Sequence, residues 1–359
     1  MEIDRAEKPV AIVPGLWWHS VGEDRRIQCD LCPRTCVLKD GDRGFCFVRQ
    51  NLNGQMVLSV YGLSTGFYVD PIEKKPLYHF FPGTSALSFG TLGCNLGCQF
   101  CQNWTVSKSS DIANLSEQAS PERIAKVALR LACRSVAFTY NDPITWAEYA
   151  VDTAAACRQL GIKTVAVTNG YINAAPRADL FSMMDAANVD LKAFSERFYQ
   201  RLTLSHLEPV LDTLRWLKHE SNVWFEITNL LIPDENDSMS EVKQMCDWIL
   251  SNLGDEVPVH FTAFQPSFRM KERQRTAFPT LVHAREQALA AGLKYVYLGN
   301  VHDERSAVTH CPHCQRRVIE RSGHGHKHAT IHLKGDCCPY CGTAIAGVFD
   351  KSRVNRGQK

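Results

Sequence analysis

Short apolar runs alternate with amphipathic runs along residues 84–301. Each apolar run is continuous rather than alternating, as expected for a strand that is buried on both faces of a parallel sheet. The predicted strands are Ala86–Thr91, Ser135–Tyr140, Thr164–Thr168, Val189–Leu191, Val223–Leu231, Val257–Phe264 and Tyr295–Leu298.

The segments between these runs have helical patterns. Ser120, Pro121 and Glu122 supply an N-cap, a first-turn proline and an early acid, and apolar residues follow at helical spacing. Further helices are predicted over about Ile144–Leu160, from near Glu208, over Ser240–Leu253 and over Thr280–Ala291. A strand–helix unit repeated six or seven times predicts an α/β protein with a parallel sheet or barrel.

Polar and metal-binding residues follow the predicted strands. Because the carboxyl ends of parallel strands meet at one rim, the loops that follow them are where chemistry collects in such folds. These segments are Cys94, Tyr140-Asn141-Asp142, Thr168-Asn169-Gly170, Asp190-Leu191-Lys192 and Gln265-Pro266. The pattern predicts a functional site at this rim.

Composition narrows the function classes. Of the 359 residues, 45% are hydrophobic and 22% charged, which predicts a substantial core. The net charge of +2 favours neither nucleic acid nor membrane as a partner. No apolar run approaches the ~20 residues that span a bilayer, and the first residues lack a secretory pattern. We therefore expect a cytoplasmic protein with three parts: residues 1–83, a barrel over 84–301, and residues 302–359.

Twelve of the fifteen cysteines lie in three groups, which in a reducing compartment indicates metal sites rather than disulfides, and Cys133, Cys157 and Cys246 stand alone as expected core residues. Cys94, Cys98 and Cys101 have the spacing C-x3-C-x2-C. A cubane iron–sulfur cluster has four irons, so three thiolates leave one iron free. An open coordination position is typical of a catalytic metal site.

This loop resembles the signature of radical S-adenosylmethionine (SAM) enzymes, with Phe100 just before the last cysteine. Its Gly-Cys-Asn-Leu and Cys-Gln-Asn stretches resemble the activating enzymes of glycyl-radical enzymes, such as pyruvate formate-lyase. A closer resemblance, over nearly the whole chain, is to the radical SAM member of the AmmeMemoRadiSam system. It includes Cys29-Asp30-Leu31-Cys32-Pro33-Arg34-Thr35-Cys36, Asn188-Val189-Asp190-Leu191-Lys192-Ala193-Phe194, Gly299-Asn300-Val301-His302 and Cys311-Pro312-His313-Cys314.

The resemblance implies a partial (β/α)6 TIM-type barrel in which Cys94, Cys98 and Cys101 hold a [4Fe–4S] cluster. SAM would bind the fourth iron, and its reductive cleavage would give a 5′-deoxyadenosyl radical that abstracts hydrogen from an unknown substrate, a protein if the activases are the guide. A reductant such as flavodoxin or ferredoxin and Memo-like partner proteins are implied. A membrane or nucleic-acid partner is not expected.

Several rim residues are candidate SAM contacts. By analogy with the activases, the segment from Tyr140 to Asp142 would meet the SAM amino group, and Thr168 and Asn169 would lie near the cofactor. Phe100 would pack near the adenine. Period-2 geometry places Asp190 and Lys192 on one face, with Lys192 toward the SAM carboxylate. A plain turn at Asn141-Asp142-Pro143 and a buried Asp–Lys pair are the structural alternatives.

Two further cysteine groups flank the barrel. Cys311, Cys314, Cys338 and Cys341 form two C-x2-C knuckles, the arrangement of a zinc ribbon, with iron as the alternative ion. Cys29, Cys32, Cys36 and Cys46 have a less regular spacing. They predict zinc, an auxiliary iron–sulfur cluster or no metal, and the sequence does not choose among these.

A rival interpretation is a zinc-ribbon module that binds nucleic acid or protein, carried on a catalytically inactive barrel. The residues around the ribbon are basic: Arg316, Arg317, Arg321, Lys334, Lys351, Arg353 and Arg356. Few aromatic residues are interleaved with them, and the near-zero net charge argues against this interpretation.

Overall fold

The computed structural model describes residues 12–22, 24–111, 117–301, 303–322 and 328–350. The strands are β1 Val13–Pro14, β2 Trp18–Ser20, β3 Ile27–Cys29, β4 Val37–Leu38, β5 Arg49–Leu52, β6 Gln55–Leu58, β7 Leu63–Ser64, β8 Phe67–Pro71, β9 Ser85–Phe89, β10 Glu117–Gln118, β11 Ser135–Phe138, β12 Lys163–Thr168, β13 Ala186–Asp190, β14 Trp224–Leu231, β15 Val259–Ala263, β16 Val296–Gly299, β17 Thr309–His310, β18 Arg317–Ser322 and β19 His328–Ile331.

The helices begin after the first barrel strand. They are α1 Trp104–Ser107, α2 Pro121–Arg130, α3 Ala147–Gln159, α4 Ala174–Phe181, α5 Glu196–Phe198, α6 Glu208–His219, α7 Met239–Leu253 and α8 Phe278–Ala291. A π-helical turn at Tyr199–Thr203 extends α5, and 3-10 turns cover Ile72–Lys74, Pro143–Trp146 and Glu304–Ala307. No helix in the described ranges combines the length and the apolar character needed to cross a membrane.

The central sheet has eight strands in the order β8-β9-β11-β12-β13-β14-β15-β16. All neighbouring pairs from β9 to β16 are parallel, and β8 adds an antiparallel edge. The seven predicted strands are therefore all present, and they follow one another across the sheet in chain order. Six strand–helix units and a seventh strand agree with the expected partial (β/α)6 barrel.

The sequence signals explain the local structure. Ser120 caps α2, and its hydroxyl accepts a hydrogen bond from the Arg123 amide at 3.3 Å. Helix α8 ends at Gly292, which has the positive φ of 118° that glycine adopts without steric cost. The parallel strands bury most of their residues, and β11 and β15 bury all of theirs, which matches the continuous apolar runs.

The flanking parts lie at opposite ends of the sheet. The N-terminal part forms two small antiparallel sheets, β2-β3-β4 and β1-β6-β5, beside the carboxyl ends of the parallel strands, where Leu31 O accepts a hydrogen bond from the Asn173 amide at 3.1 Å. The C-terminal part forms the sheet β17-β18-β19 at the amino ends, where Phe80 bridges to Val348. The barrel separates the two parts.

Residues of the predicted basic surface around the C-terminal part differ in exposure. Arg321 is 2% exposed, and its guanidinium lies 4.5 Å from the centre of the Tyr78 ring and 3.7 Å from the Glu73 carboxylate. It is therefore a structural cation and not part of a binding surface. Arg316, Arg317 and Lys334 are exposed. Lys351, Arg353 and Arg356 lie outside the described residues.

Candidate functional site: a three-thiol loop at the carboxyl rim

The three-cysteine loop begins directly after β9, at the rim of the parallel strands. Cys98 is buried, whereas Cys94 and Cys101 are partly exposed. Gly93 has φ of 80°, and a Cβ there would lie 2.0 Å from the carbonyl oxygen of Cys46. Only glycine permits both this conformation and this close approach. The loop is therefore built in contact with the N-terminal part.

Asn141, after β11, holds the start of the loop. Its Nδ2 donates hydrogen bonds to the carbonyl oxygens of Leu92 and Gly93 at 3.0 and 2.8 Å. Its Oδ1 accepts from the Thr91 amide at 3.1 Å and from Trp146 Nε1 at 3.2 Å. These contacts engage both ends of the side-chain amide, so Asn141 positions the backbone that carries the thiols.

Asp142 joins the ends of the second and third parallel strands. Its carboxylate accepts hydrogen bonds from the Ile144 amide at 3.0 Å, from the Thr168 hydroxyl at 3.0 Å and from the Asn169 amide at 2.7 Å. Burial raises the pKa of Asp142 to about 6, although these hydrogen bonds oppose the rise. The residue therefore acts as an N-cap for the Pro143 turn and as a link between two rim loops.

Asn169 connects this link to the cysteines. Its Nδ2 donates to Asn95 Oδ1 at 2.8 Å and lies 4.0 Å from Cys94 Sγ. Asn95 is 1% exposed, and its own Nδ2 donates to the Tyr171 carbonyl at 2.8 Å. A chain of buried amides therefore runs from β12 to the first cysteine, and amide dipoles of this kind tune iron–sulfur sites.

Lys192 and Asp190 lie on the other side of the cysteine loop, at the end of β13. Lys192 Nζ is 2.8 Å from Asp190 Oδ2 and 5.9 Å from the centre of the Phe100 ring. Burial lowers the pKa of Lys192, but the charges of Asp190 and Cys98 outweigh burial and raise it. Lys192 therefore stays cationic beside Cys98, and the predicted pairing with Asp190 is present.

The thiols lie in a buried environment with nearby cations. Burial raises the pKa of Cys94 to about 12 and also raises that of Cys98, while the charge of Lys108 opposes both shifts. Cys101 Sγ lies 3.6 Å from Ser107 Oγ. Metal binding converts thiols to thiolates, because the thiolate is the form that binds a metal. The donor set is soft and fits an iron–sulfur cluster.

The three rim thiols differ in spacing from a single-ion site. Among the described residues, the only group of His, Cys, Asp or Glu ligand atoms that all lie within 4.8 Å of one another is the C-terminal one. The rim thiols are therefore spread more widely than a single ion requires. A cubane binds each thiolate through a different iron, which needs such spreading.

Other rim residues have different surroundings. Tyr140 has φ of 72°, and its hydroxyl lies 3.4 Å from Asp70 on β8, away from the cysteine loop. Lys108 donates to the carbonyl of Leu96 and was not among the predicted residues, since its only sequence signal is its position seven residues after Cys101. The loop after β15 reaches the site where the Ser267 hydroxyl donates to the Cys101 carbonyl at 3.2 Å.

The C-terminal cysteines form a compact group. Cys311 Sγ lies 3.5 Å from Cys341 Sγ, and Cys314 Sγ lies 3.6 Å from Cys338 Sγ. Cys337 stays outside the group, and its thiol donates toward Asp336 at 3.4 Å. Four thiols at these separations match the ~2.3 Å Zn–S bonds of a tetrahedral site. The group can hold one metal ion.

Comparison with known proteins identifies the family. The radical SAM superfamily profile matches residues 89–249, which include the three-cysteine loop. An uncharacterized protein of Methanocaldococcus jannaschii is 38% identical over 323 residues, which cover 90% of this chain and 96% of that protein. The chain belongs to the radical SAM superfamily. Membership implies a [4Fe–4S] cluster and SAM, and the rim residues fit the cluster.

More distant similarities extend this comparison. A second uncharacterized protein of Methanocaldococcus jannaschii is 23% identical over 283 residues, covering 75% of this chain and 76% of that protein. A radical SAM methyltransferase from Sphaerobacter thermophilus has a TM-score of 0.49 at 14% identity, covering 61% of this chain and 67% of its own. A domain of pyruvate-formate lyase-activating enzyme from Bacteroides vulgatus has a TM-score of 0.41 at 17% identity, covering 46% of this chain and 99% of its own.

Proposed function

We propose that this protein is a radical SAM enzyme that cleaves SAM reductively and uses the resulting radical to abstract hydrogen from a substrate. The observation that carries the proposal is the three-thiol loop at the carboxyl rim of a parallel sheet, in a chain of this superfamily. Bound to three thiolates, a [4Fe–4S] cluster supplies one-electron reducing chemistry and an open iron.

The protein's own residues bind and orient. Cys94, Cys98 and Cys101 supply the thiolates, and Asn141 fixes the backbone ahead of them through its hydrogen bonds to Leu92 and Gly93. Lys192 holds a positive charge beside the site and is only 15% exposed through its side chain. A buried cation of this kind offers a partner to an anionic group such as a carboxylate.

The positions of the other candidate residues favour support roles over direct contact with SAM. Thr168, Asn169 and Asp142 bind one another and the cysteine loop, so they set its orientation. Phe100 is 4% exposed and packs against Phe198, with ring centres 5.8 Å apart. Such packing excludes water from the site, which protects a reactive radical.

An anaerobic assay tests the proposal. The protein is reconstituted with iron and sulfide, reduced with dithionite and mixed with SAM, and 5′-deoxyadenosine is measured by chromatography. We expect release of 5′-deoxyadenosine by the native protein and its loss in Cys98→Ser. Cys337→Ser is the matched control, because Cys337 belongs to no thiol group in the described structure.

Two outcomes of this assay would contradict parts of the proposal. A native protein that releases no 5′-deoxyadenosine while holding about four irons at the rim would contradict the proposed reaction. A Cys98→Ser variant that binds iron as the native protein does would contradict the ligand assignment. The activase-like use of a protein substrate and action beside Memo-like partners remain predictions, tested by adding candidate proteins and following hydrogen transfer from them.

A further inference from the structure

The four N-terminal cysteines surround one cleft at the mouth of the barrel. Cys29, Cys32 and Cys46 are buried and Cys36 is partly exposed. The cleft is partly open to solvent, and Arg34, Arg49 and Asn95 line it beside the four cysteines. Thiolates are soft ligands that bind zinc and iron–sulfur clusters, so four of them around one cleft form a candidate metal site.

The separations of these thiols distinguish a cluster from a single ion. Tetrahedral zinc with Zn–S bonds of ~2.3 Å brings its four sulfur atoms to about 3.8 Å from one another. The C-terminal group has this spacing, with Sγ–Sγ distances of 3.5 and 3.6 Å. Among the cysteines of the described chain, no three of the N-terminal thiols come within 4.8 Å of one another. The same molecule therefore contains two four-cysteine groups of different size.

A second observation at the cleft is Arg49. Its side chain is 1% exposed and lines the cleft, and its Nε has no hydrogen-bond partner in the described structure. The other two guanidinium nitrogens bind Glu148 at 2.9 and 2.8 Å. An unpaired buried donor is costly, so it indicates a missing acceptor. Cluster sulfides and thiolates are acceptors of this kind.

The cleft adjoins the three-cysteine loop. Asn95, the residue after Cys94, lines it, and Arg34 donates to the carbonyl oxygens of both Asn95 and Leu204. Gly93 passes the Cys46 carbonyl so closely that a Cβ would lie 2.0 Å away. The two cysteine groups are therefore neighbours, built on backbones that touch.

We propose that Cys29, Cys32, Cys36 and Cys46 bind a second [4Fe–4S] cluster with all four irons ligated by protein. Four thiolates leave no open iron, so this cluster does not bind SAM, unlike the one at the rim. Its class of ligand is an iron–sulfur cubane rather than zinc. The proposal stands apart from the proposed reaction, because it rests on a different set of cysteines.

Metal analysis of purified variants tests it. The native protein, Cys94→Ser/Cys98→Ser/Cys101→Ser, Cys36→Ser and the Cys337→Ser control are reconstituted anaerobically, and iron, sulfide and zinc are counted with electron paramagnetic resonance of the reduced samples. We expect about eight irons per native chain, from two clusters of four. The triple variant should keep about four irons and one cubane signal.

Cys36→Ser separates the possibilities, since it alters the most exposed of the four ligands. We expect it to change or remove only the signal that survives in the triple variant, while the rim cluster and SAM cleavage remain. A triple variant with no iron overturns the proposal, whether the N-terminal cysteines then hold zinc or nothing. A Cys36→Ser protein that loses the rim signal and SAM cleavage but keeps the signal of the triple variant would also overturn the proposal, because Cys36 would then serve the rim cluster.

Discussion

The two ends of the parallel sheet use buried polar groups in opposite ways. At the carboxyl rim, the side chains of Asn141, Asp142 and Asn169 position the loops around the three rim thiols, whose sulfur atoms have few hydrogen-bond partners. At the amino end, Glu226 is fully occupied: it accepts from the Tyr78 and His79 amides at 3.0 and 2.7 Å and binds His260 Nε2 at 2.7 Å. Satisfied buried networks rigidify a fold. The difference separates polar groups that position a candidate binding site from polar groups that hold the fold together.

The same contrast holds for the outer cysteine groups. The C-terminal group is compact and lies beyond the amino end, where Arg321 ties β18 to the carbonyl of Ala307 at 2.8 Å and to Glu73. The N-terminal group is wider and lies against the rim. Position and thiol spacing therefore differ together: the group that can hold a single ion lies beyond the amino ends of the strands, and the N-terminal group lies against the rim.

The largest expected effect is that of Gly93→Ala at the rim. The added Cβ would meet the Cys46 carbonyl at 2.0 Å and Val48 Cγ1 at 2.9 Å, so the cysteine loop must move. We expect loss of the rim cluster, measured as bound iron after anaerobic reconstitution, and loss of 5′-deoxyadenosine formation. Gly62→Ala is the matched control. Its φ of 73° is similar, but nothing lies within 4 Å of the added Cβ.

The control should cost only about 1 kcal/mol of folding free energy, the strain of alanine in this backbone conformation. Gly62→Ala protein should therefore bind iron as the native protein does. A Gly93→Ala protein with native iron content would show that the close approach of the N-terminal part does not constrain the loop.

At the amino end, Glu226→Ala should act on stability alone. Removing the carboxylate takes the acceptor from His260, from the Trp224 indole N–H and from two backbone amides, which costs about 3–5 kcal/mol. The free energy of unfolding is measured by urea titration. SAM cleavage per folded molecule should stay unchanged, because the network lies across the barrel from the cysteines. A selective loss of cleavage with native stability would remove the distinction between the two ends.

Lowering the pH should reduce the stability that the amino end of the sheet contributes. Burial lowers the pKa of His79 to about 4, and its ring nitrogens bind the Ala346 carbonyl at 2.6 Å and the Tyr297 hydroxyl at 2.5 Å. His79 therefore stays neutral to a lower pH in the folded state than in the unfolded state, where it is protonated near pH 6.5. Stability from this residue is complete above pH 6.5 and is lost as pH falls toward 4, by about 3 kcal/mol.

The measurement is the free energy of unfolding at several pH values between 7 and about 4. His79→Gln should flatten this dependence, since glutamine does not titrate. Glu226 faces His79 and contributes in the same direction. Burial alone raises its pKa, but the hydrogen bond and charge of His260 outweigh burial and lower it. An unchanged slope in His79→Gln would contradict the assignment of the acid sensitivity to His79, because the lowered pKa of Glu226 places its contribution at lower pH.

The sheet and most helices were predictable because local patterns determine them. Continuous apolar runs mark strands buried on both faces, and the rim loops follow from parallel strand order. Helix α4 was missed, since it has eight residues, contains Pro176 and has no side-chain N-cap bond. The contacts of Arg49 and Arg321 were also out of reach, because their partners Glu148 and Glu73 are far away in the chain.

The rim residues likewise include some that the local sequence identifies and others whose contacts depend on the assembled fold. The spacing of Cys94, Cys98 and Cys101 is a local signal and identified the loop directly. Asn141 and Asp142 are predicted to accept hydrogen bonds from the SAM amino group, which stays a prediction, and the structure shows that both also bind protein groups. One sequence cannot show which partners a polar side chain meets, because those partners depend on how the strand ends assemble.

Asn141→Asp has the smallest expected effect, and it tests whether Asn141 positions the cysteine loop or binds the cofactor. Aspartate keeps an acceptor for the Thr91 amide and Trp146 Nε1 but removes the donors to the Leu92 and Gly93 carbonyls. A positioning role predicts a cost of about 1–3 kcal/mol and weaker iron retention, because buried acceptors lose their partners. An ammonium-binding role predicts native iron content and SAM binding at least as tight, since a carboxylate attracts an ammonium more strongly than an amide does. Iron content and SAM affinity measured on one sample therefore decide between a residue that holds the loop and one that holds the cofactor.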